Sequence, residues 1–548
     1  MAWNTTVEYT FDVGNYTVER LCNSLVITAV NGSLPGPTIN VREGDTLIVH
    51  VLNSSPYNMT IHWHGIFQLL TAWYDGPEFV TQCGIPPGGN FTYRFRIVDQ
   101  EGTLWWHAHS SVLRATVHGA LIIRPRRGNS YPFTKPYQEL PPILIGEWWN
   151  SNVVDIENAI TEIGDAFPEP DAYTLNGLPG DLFNCSQNQT FQLSVRQGKT
   201  YLMRIINSAL NNQHFFKIAN HNFTVVAVDA SYTNPYTTDV IVAGPGQTVD
   251  VLFTANQPVA SYYMAASPYR TLTGDFLNVS TRGILVYENS TSASPVNVTM
   301  PINNDTATAH RFFTNITGLA GGPHWVPVPL NVDENMFITF GLGIVACINC
   351  TGLGDGRGFS ASMNNESFVL PSGRGMSMLE AFYQNASGVY TKDFPDNPPL
   401  VFNYTDPNLN NGLQDIAFAP KSTKVKTLSY NSTVQVVLQN TAILAVENHP
   451  MHIHGFNFHV LAQGFGNYDA NTTEPTFNLV NPLVRNTIGV PVGGWAVLRF
   501  IANNPGIWLA HCHFDAHLPW GLAMAFEVEN GPTPGTTLPG PPADLPKC

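Results

Sequence analysis

Apolar and polar residues alternate with period two along short runs of the chain, and the same runs return. Val41-Arg-Glu-Gly-Asp-Thr-Leu-Ile-Val-His-Val-Leu-Asn53 is matched by Val195-Arg-Gln-Gly-Lys-Thr-Tyr-Leu-Met-Arg-Ile-Ile-Asn207. A looser third copy reads Leu428-Ser-Tyr-Asn-Ser-Thr-Val-Gln-Val-Val-Leu-Gln-Asn440. Each predicts a turn leading into a half-buried strand. A later pattern recurs as well. Pro87-Gly-Gly precedes Tyr93-Arg-Phe-Arg and Leu104-Trp-Trp-His-Ala-His109. Pro245-Gly-Gln precedes Val249-Asp-Val-Leu-Phe and Ser261-Tyr-Tyr-Met-Ala-Ala266. Pro491-Val-Gly-Gly precedes Val497-Leu-Arg-Phe and Trp508-Leu-Ala-His-Cys-His513.

Counted from Val41, Val195 and Leu428, the repeats start 154 and then 233 residues apart. Solenoid repeats run to about 20–50 residues, so these are tandem domains. Short strands and Gly/Pro turns predict an all-β chain of three Greek-key β-sandwiches. We place them at residues 1–130, 131–330 and 331–548, with the Asn-, Thr- and Pro-rich stretch from about 291 to 330 as a linker.

Composition agrees and narrows the class. The chain has 548 residues, with 45 Gly and 41 Pro, and only 12% are charged. A net charge of −15 argues against nucleic acid or an anionic membrane as partner. No apolar run approaches the ~18 residues of a membrane span. About twenty Asn-x-Ser/Thr sequons, among them Asn15, Asn58, Asn90, Asn188, Asn222, Asn315, Asn385 and Asn431, suggest that N-glycans replace charge in keeping the surface soluble. The chain opens Met1-Ala2-Trp3-Asn4 directly into strand-like sequence, which reads as a mature chain without its leader. Of seven cysteines, Cys512 lies between two histidines and is reserved for metal. The other six can pair in an oxidising compartment, Cys347 and Cys350 reading as a local disulfide because no second CxxC accompanies them.

Ten of the seventeen histidines form four clusters: His62-Trp-His64, His107-Ala-His109, His449-Pro-Met-His452-Ile-His454, and His511-Cys-His513-Phe-Asp-Ala-His517. In a strand, residues i and i+2 share a face, so each His-x-His pair presents two imidazoles together. Eight such imidazoles are too many for one tetrahedral zinc and suit several ions, most naturally copper. Cys512 points to the opposite face, where His449 and His517 complete a His₂Cys set of blue-copper type. Ten residues beyond Cys512 stands Leu522, which cannot ligate, so this copper is expected to be three-coordinate with a raised reduction potential. In the middle repeat, Met264-Ala-Ala266 replaces His-x-His, so the strand pattern persists without metal-binding residues. His50, His118, His214, His221, His310, His324 and His459 read as ordinary hydrogen-bonded residues, and Trp63, Trp105, Trp106, Trp508 and Trp520 as core packing.

On these motifs the whole chain resembles the multicopper oxidases and, within them, the plant laccases. The resemblance implies three cupredoxin-like domains and four coppers. His62 and His452 would hold a type 2 copper, and His64, His107, His109, His454, His511 and His513 a type 3 pair. Cys512, His449 and His517 would hold the blue type 1 copper, with Leu522 in the axial slot, where ascorbate oxidases carry Met. By the same resemblance His517 would take electrons from a phenol, Asp75 and Asp515 would relay protons to oxygen, and Cys22–Cys185 and Cys83–Cys548 would join domains. Near the last motif Asp515-Ala516 and Leu518-Pro519 depart from the family's usual Glu-Val pair and two threonines, which bears on substrate preference. The implied protein is a secreted, monomeric apoplast or cell-wall enzyme that oxidises small phenolics, monolignols among them, and reduces O₂ to water. Ascorbate oxidase and ferroxidase are the rival activities. A non-catalytic cupredoxin glycoprotein would have lost copper ligands, and all eleven are present.

Overall fold

A computed structural model describes residues 5–186, 188–271, 276–354, 356–409 and 414–548; the opening Met1–Asn4 lies outside the described residues. The chain folds as three tandem cupredoxin-like sandwiches, and the recurring sequence runs occupy the same place in each. Strand Thr46–Asn53 pairs parallel with Thr6–Arg20 and antiparallel with Asn90–Arg96. Thr200–Asn207 lies likewise between Ile143–Trp148 and Thr248–Thr254. Thr433–Asn440 repeats the arrangement between Glu334–Ala346 and Gly494–Ile501. One pattern of apolar positions thus sets one register three times.

These central strands depart from the expected alternation. Thr433–Asn440 is buried at every position and Thr200–Asn207 at all but the first. Both faces are covered, one by the partner sheet of the sandwich and the other by neighbouring loops and domains, so polar Gln439 and Asn440 are buried but bonded to backbone carbonyls. The stretch read as a linker also differs. It contains the helix Thr306–Asn315, capped by Asp305 accepting from Thr308, with Ala309, Phe312 and Phe313 packed into the large core. Its apolar residues recur at helical spacing, a signal masked by the surrounding Asn and Thr.

The second sheet of each sandwich carries the chemistry, or its absence. In the first domain Ile61–His64 pairs with Gly102–Ala108, setting His62 opposite His107. In the third, His449–Ile453 pairs with Gly506–Cys512, setting His452 opposite His511. In the middle domain the equivalent pair, Gln213–Ile218 with Ser261–Tyr269, sets Ile218 opposite Met264 and Phe216 opposite Ala266, all buried.

The middle domain instead holds its neighbours. Arg204 and Asp250 form a buried pair that reaches Thr103 of the first domain, and Asp229 binds Arg485 of the third. Glu147 accepts from the backbone of Leu210 and Asn211 and from Asn212 Nδ2, at 2.7, 3.0 and 2.6 Å. That loop in turn binds Asp515 and Ala516, just before His517. Burial raises the Glu147 carboxyl from its ordinary 4.5 to about 7. The folded chain therefore keeps this proton where the unfolded chain has lost it, and stability falls as pH rises through that window, by about 1.4 kcal/mol per unit of separation. Glu147→Gln is expected to flatten the fall in Tm between pH 4.5 and 7; an unchanged slope would assign the dependence elsewhere.

Disulfides join Cys22 to Cys185, Cys83 to Cys548 and Cys347 to Cys350, leaving Cys512 free and buried. The tail after Val528 runs back to the first domain, where Trp73 Nε1 donates to Pro539 O. Among the described residues no helix is long and apolar enough to cross a membrane.

Candidate metal centre

The four histidine motifs converge between the first and third domains. Three sets of imidazoles have ligand atoms within 4.8 Å of one another: His62, His64 and His452; His64, His107 and His513; His109, His454 and His511. The six residues expected around a type 3 pair thus divide into two groups of three, each drawing on both domains, which sequence spacing alone does not specify. A fourth set, His449, Cys512 and His517, lies on the other side of strand Gly506–Cys512, with Sγ 3.6 Å from His449 Nδ1 and 3.4 Å from His517 Nδ1.

Hydrogen bonds at the far side of these rings fix which nitrogen is free. Nδ1 of His62 donates to Asp75 O at 2.7 Å, that of His107 to Ala108 O at 2.8 Å, and that of His452 to Asn486 O at 2.8 Å. In all three the Nε2 atom is buried without a partner, as is Nδ1 of His64, whose Nε2 meets Thr487. His454 donates from Nδ1 to the Asp75 carboxylate at 2.9 Å and His511 from Nδ1 to Cys512 O at 2.8 Å. Their Nε2 lone pairs then face each other at 3.1 Å, an arrangement that needs a cation between them. Burial and neighbouring imidazoles hold His64, His107, His452 and His454 well below the usual histidine range, so protons do not supply that cation. Buried, neutral, unpartnered nitrogens fit metal ions. His513 differs, because Arg114 lies against its Nδ1 and its Nε2.

Asp75 is fully buried, and its carboxylate also lies 3.3 Å from His62 Nδ1. It therefore touches both sides of the cluster. Asp515 does not reach an imidazole directly; it lies 3.4 Å from Arg114, which contacts His513. Leu522 is buried, and its backbone bonds to both Cys512 and His517.

Several residues around the centre were not anticipated. Gly246, at φ +91°, lies so close that a Cβ there would come within 2.9 Å of His64 and 3.1 Å of His513. The middle domain thus closes the cluster with backbone alone. Glu447 lies 3.2 Å from His517 Nε2, and burial raises its carboxyl to about 8. It precedes the strand that begins at His449, so period-two spacing does not place it, and nothing in spacing marks Arg114 or Gly246. Trp520 is not core as expected. It is half-buried and stacks on His517 with ring centroids 5.2 Å apart. Trp63, Trp105, Trp106 and Trp508 are fully buried. A cavity of about 310 Å³ opens beside His517, lined by Phe167, Tyr269, Phe359, Phe514 and Trp520 and by Glu169, Arg270 and Glu447.

Three tandem sandwiches with histidine-rich outer members and a histidine-poor middle one define a class, and family comparison agrees. Profiles described as multicopper oxidase match residues 12–128, 139–290 and 393–532, and the chain belongs to the multicopper oxidase family. Its relatives within that family are plant laccases. It is 58% identical to Laccase-7 of Arabidopsis thaliana, covering 99% of this chain and 96% of that protein. It is 55% identical to Laccase-24 of Oryza sativa subsp. japonica, with the same coverage of each. The laccase of Botrytis aclada superposes with a TM-score of 0.73 at 27% identity, covering 98% of this chain and 89% of that one. Fet3p, a multicopper oxidase that functions in iron import, superposes at 0.74 with 22% identity over 96% of this chain and 90% of its own, a likeness of fold. The protein is a copper-dependent oxidoreductase of laccase type, with four coppers as its cofactors: one type 1, one type 2 and a type 3 pair.

Proposed function

We propose that this laccase oxidises phenols at the cavity beside His517, and that the eleven residues of the four motifs hold its coppers. His62 and His452 would hold the type 2 ion. His64, His107 and His513, with His109, His454 and His511, would hold the type 3 pair. His449, Cys512 and His517 would hold the type 1 ion, with Leu522 beside it. When bound, these ions take single electrons from the reducing substrate and deliver four of them to O₂, giving two waters.

The cavity supports this assignment through its lining. Five aromatic side chains receive a ring, and His517 presents its Nε2 edge next to Glu447, at 3.2 Å. Glu447 is the nearest carboxyl to that edge and, neutral, can donate a hydrogen bond to the phenol oxygen or to His517 Nε2. On the oxygen side Asp75 orients His454 and His62 and can hand protons inward, while Asp515 acts through Arg114. Cys512 joins the two sites covalently through His511 and His513.

An Fe(II) reading would need free carboxylates at His517. Glu169, however, is paired with Arg270, and Glu447 lies in surroundings that favour its neutral form. The deciding experiment is oxygen uptake with a phenol, ascorbate and Fe(II) compared at equal concentration. A phenol is expected to be the best donor, and a clear preference for either rival would overturn the assignment. Leu522→Met, which offers a thioether ligand, is expected to lower the type 1 reduction potential in a redox titration; an unchanged potential would place residue 522 outside the axial position.

We further propose a secreted, monomeric protein of the apoplast or cell wall, carrying N-glycans and dividing into domains near residues 130 and 330. The eight sequon asparagines named above are all exposed, as glycan attachment requires. Monolignols are the proposed physiological phenols.

A further inference from the structure

The cavity beside His517 adjoins a second of about 340 Å³, and the two share Phe167, Phe359, Ala516 and Trp520. Trp520 is the dividing wall. Its ring stacks on His517 and also on Phe359, the latter at 5.1 Å and 16°. The second chamber is bounded by helix Val153–Ile163 on one side and by the loop between Cys347 and Cys350 on the other.

That loop carries Ile348, which lines the chamber and is exposed at 102%. Its side chain gives the chamber an apolar edge, and a ring lying against it would remove that apolar surface from water. The loop is also braced. Its disulfide spans three residues, and Gly164 at the helix end packs on Cys350 Sγ and Gly358 with no room for a Cβ. The chamber is therefore formed before any ligand arrives. Its charged lining is Glu157, Glu162, Asp165 and Asp515 against a single Lys421, which disfavours an anion. Each chamber is near the lower end of the roughly 300–1,000 Å³ range of small-molecule sites. One phenol ring would occupy the first and leave the second to water.

We propose that, beside single-ring phenols such as monolignols, the site takes an uncharged two-ring phenol and binds it more tightly, its reacting ring at His517 and its second ring between Trp520 and Ile348. This rests on the phenol assignment above and adds a substrate class to it. The second ring is held and not oxidised; it contributes binding, so its effect belongs in KM.

The test uses the copper-loaded enzyme and three donors: a methoxyphenol, its uncharged ether-linked dimer with one free phenol, and that dimer with a carboxylate on the second ring. The wild type is expected to favour the uncharged dimer over the single ring about tenfold in kcat/KM, through KM, and the carboxylated dimer is expected to lose that advantage. Ile348→Asp should cut the dimer-to-monomer ratio about tenfold and Ile348→Leu should keep it. Calorimetric binding of the fully O-methylated dimer, which cannot be oxidised at its phenol, should weaken in parallel with Ile348→Asp. If the single ring is oxidised but the ratio is near one, or does not move with Ile348→Asp, the two-ring proposal fails and the phenol assignment stands. If no phenol drives oxygen uptake, both fail.

Discussion

Cys512→Ser is expected to abolish the intense blue absorption and to lower phenol-driven oxygen uptake by at least about 10³-fold, or roughly 4 kcal/mol of lost transition-state stabilisation. The sulfur is fully buried and is the only thiol among the described residues outside a disulfide. Burial raises that thiol well above its ordinary range, so a bound metal ion is what would make the thiolate stable there. A serine hydroxyl at this position still fits between His449 and His517 and keeps the peptide bonds to His511 and His513, but it gives no thiolate ligand to couple the metal to them. The measurement is the visible spectrum after copper loading, together with oxygen uptake. Retained colour would show that the sulfur is not the ligand. Normal copper content at the remaining sites, with colour gone, would confine the damage to the type 1 position.

Asp75→Asn is expected to cut turnover about 10²-fold while leaving the blue absorption intact. The carboxylate meets His454 at 2.9 Å and lies 3.3 Å from His62, so it serves both halves of the cluster and none of the type 1 set. An amide can still accept the His454 hydrogen bond, which separates loss of the proton function from loss of ring orientation. Anaerobic bleaching of the blue band by phenol should proceed at the wild-type rate, and the return of colour on adding oxygen should be slowed. A return as fast as in the wild type would remove Asp75 from oxygen reduction.

Much of this centre was legible in the chain because a strand converts spacing directly into geometry. His62 and His64, or His511 and His513, share a face by period two, and Cys512 must face the other way. The comparison of Met264-Ala-Ala266 with His107-Ala-His109 separated fold from chemistry without coordinates. What stayed hidden depends on contacts between distant segments. Arg114 lies in a short turn 399 residues from His513, and Gly246 reaches the cluster from a domain that supplies no ligand. The cavity beside His517 was not legible, since it is assembled from residues 166 to 520 drawn from the second and third domains. The helix Thr306–Asn315 was missed because composition outweighed a short apolar period.

The tail that carries Cys548 back to Cys83 has a kinetic meaning. Each triad of imidazoles is completed by residues of two domains, so ion retention depends on those domains staying together. The disulfide spans 465 residues and ties the end of the third domain to the first. The two domains already share one chain through the middle domain, so the disulfide adds a second connection, by way of the short C-terminal tail, that raises the effective concentration of one for the other. Reducing that disulfide is therefore expected to speed copper loss to a chelator, because only the middle domain would then hold the two half-sites together.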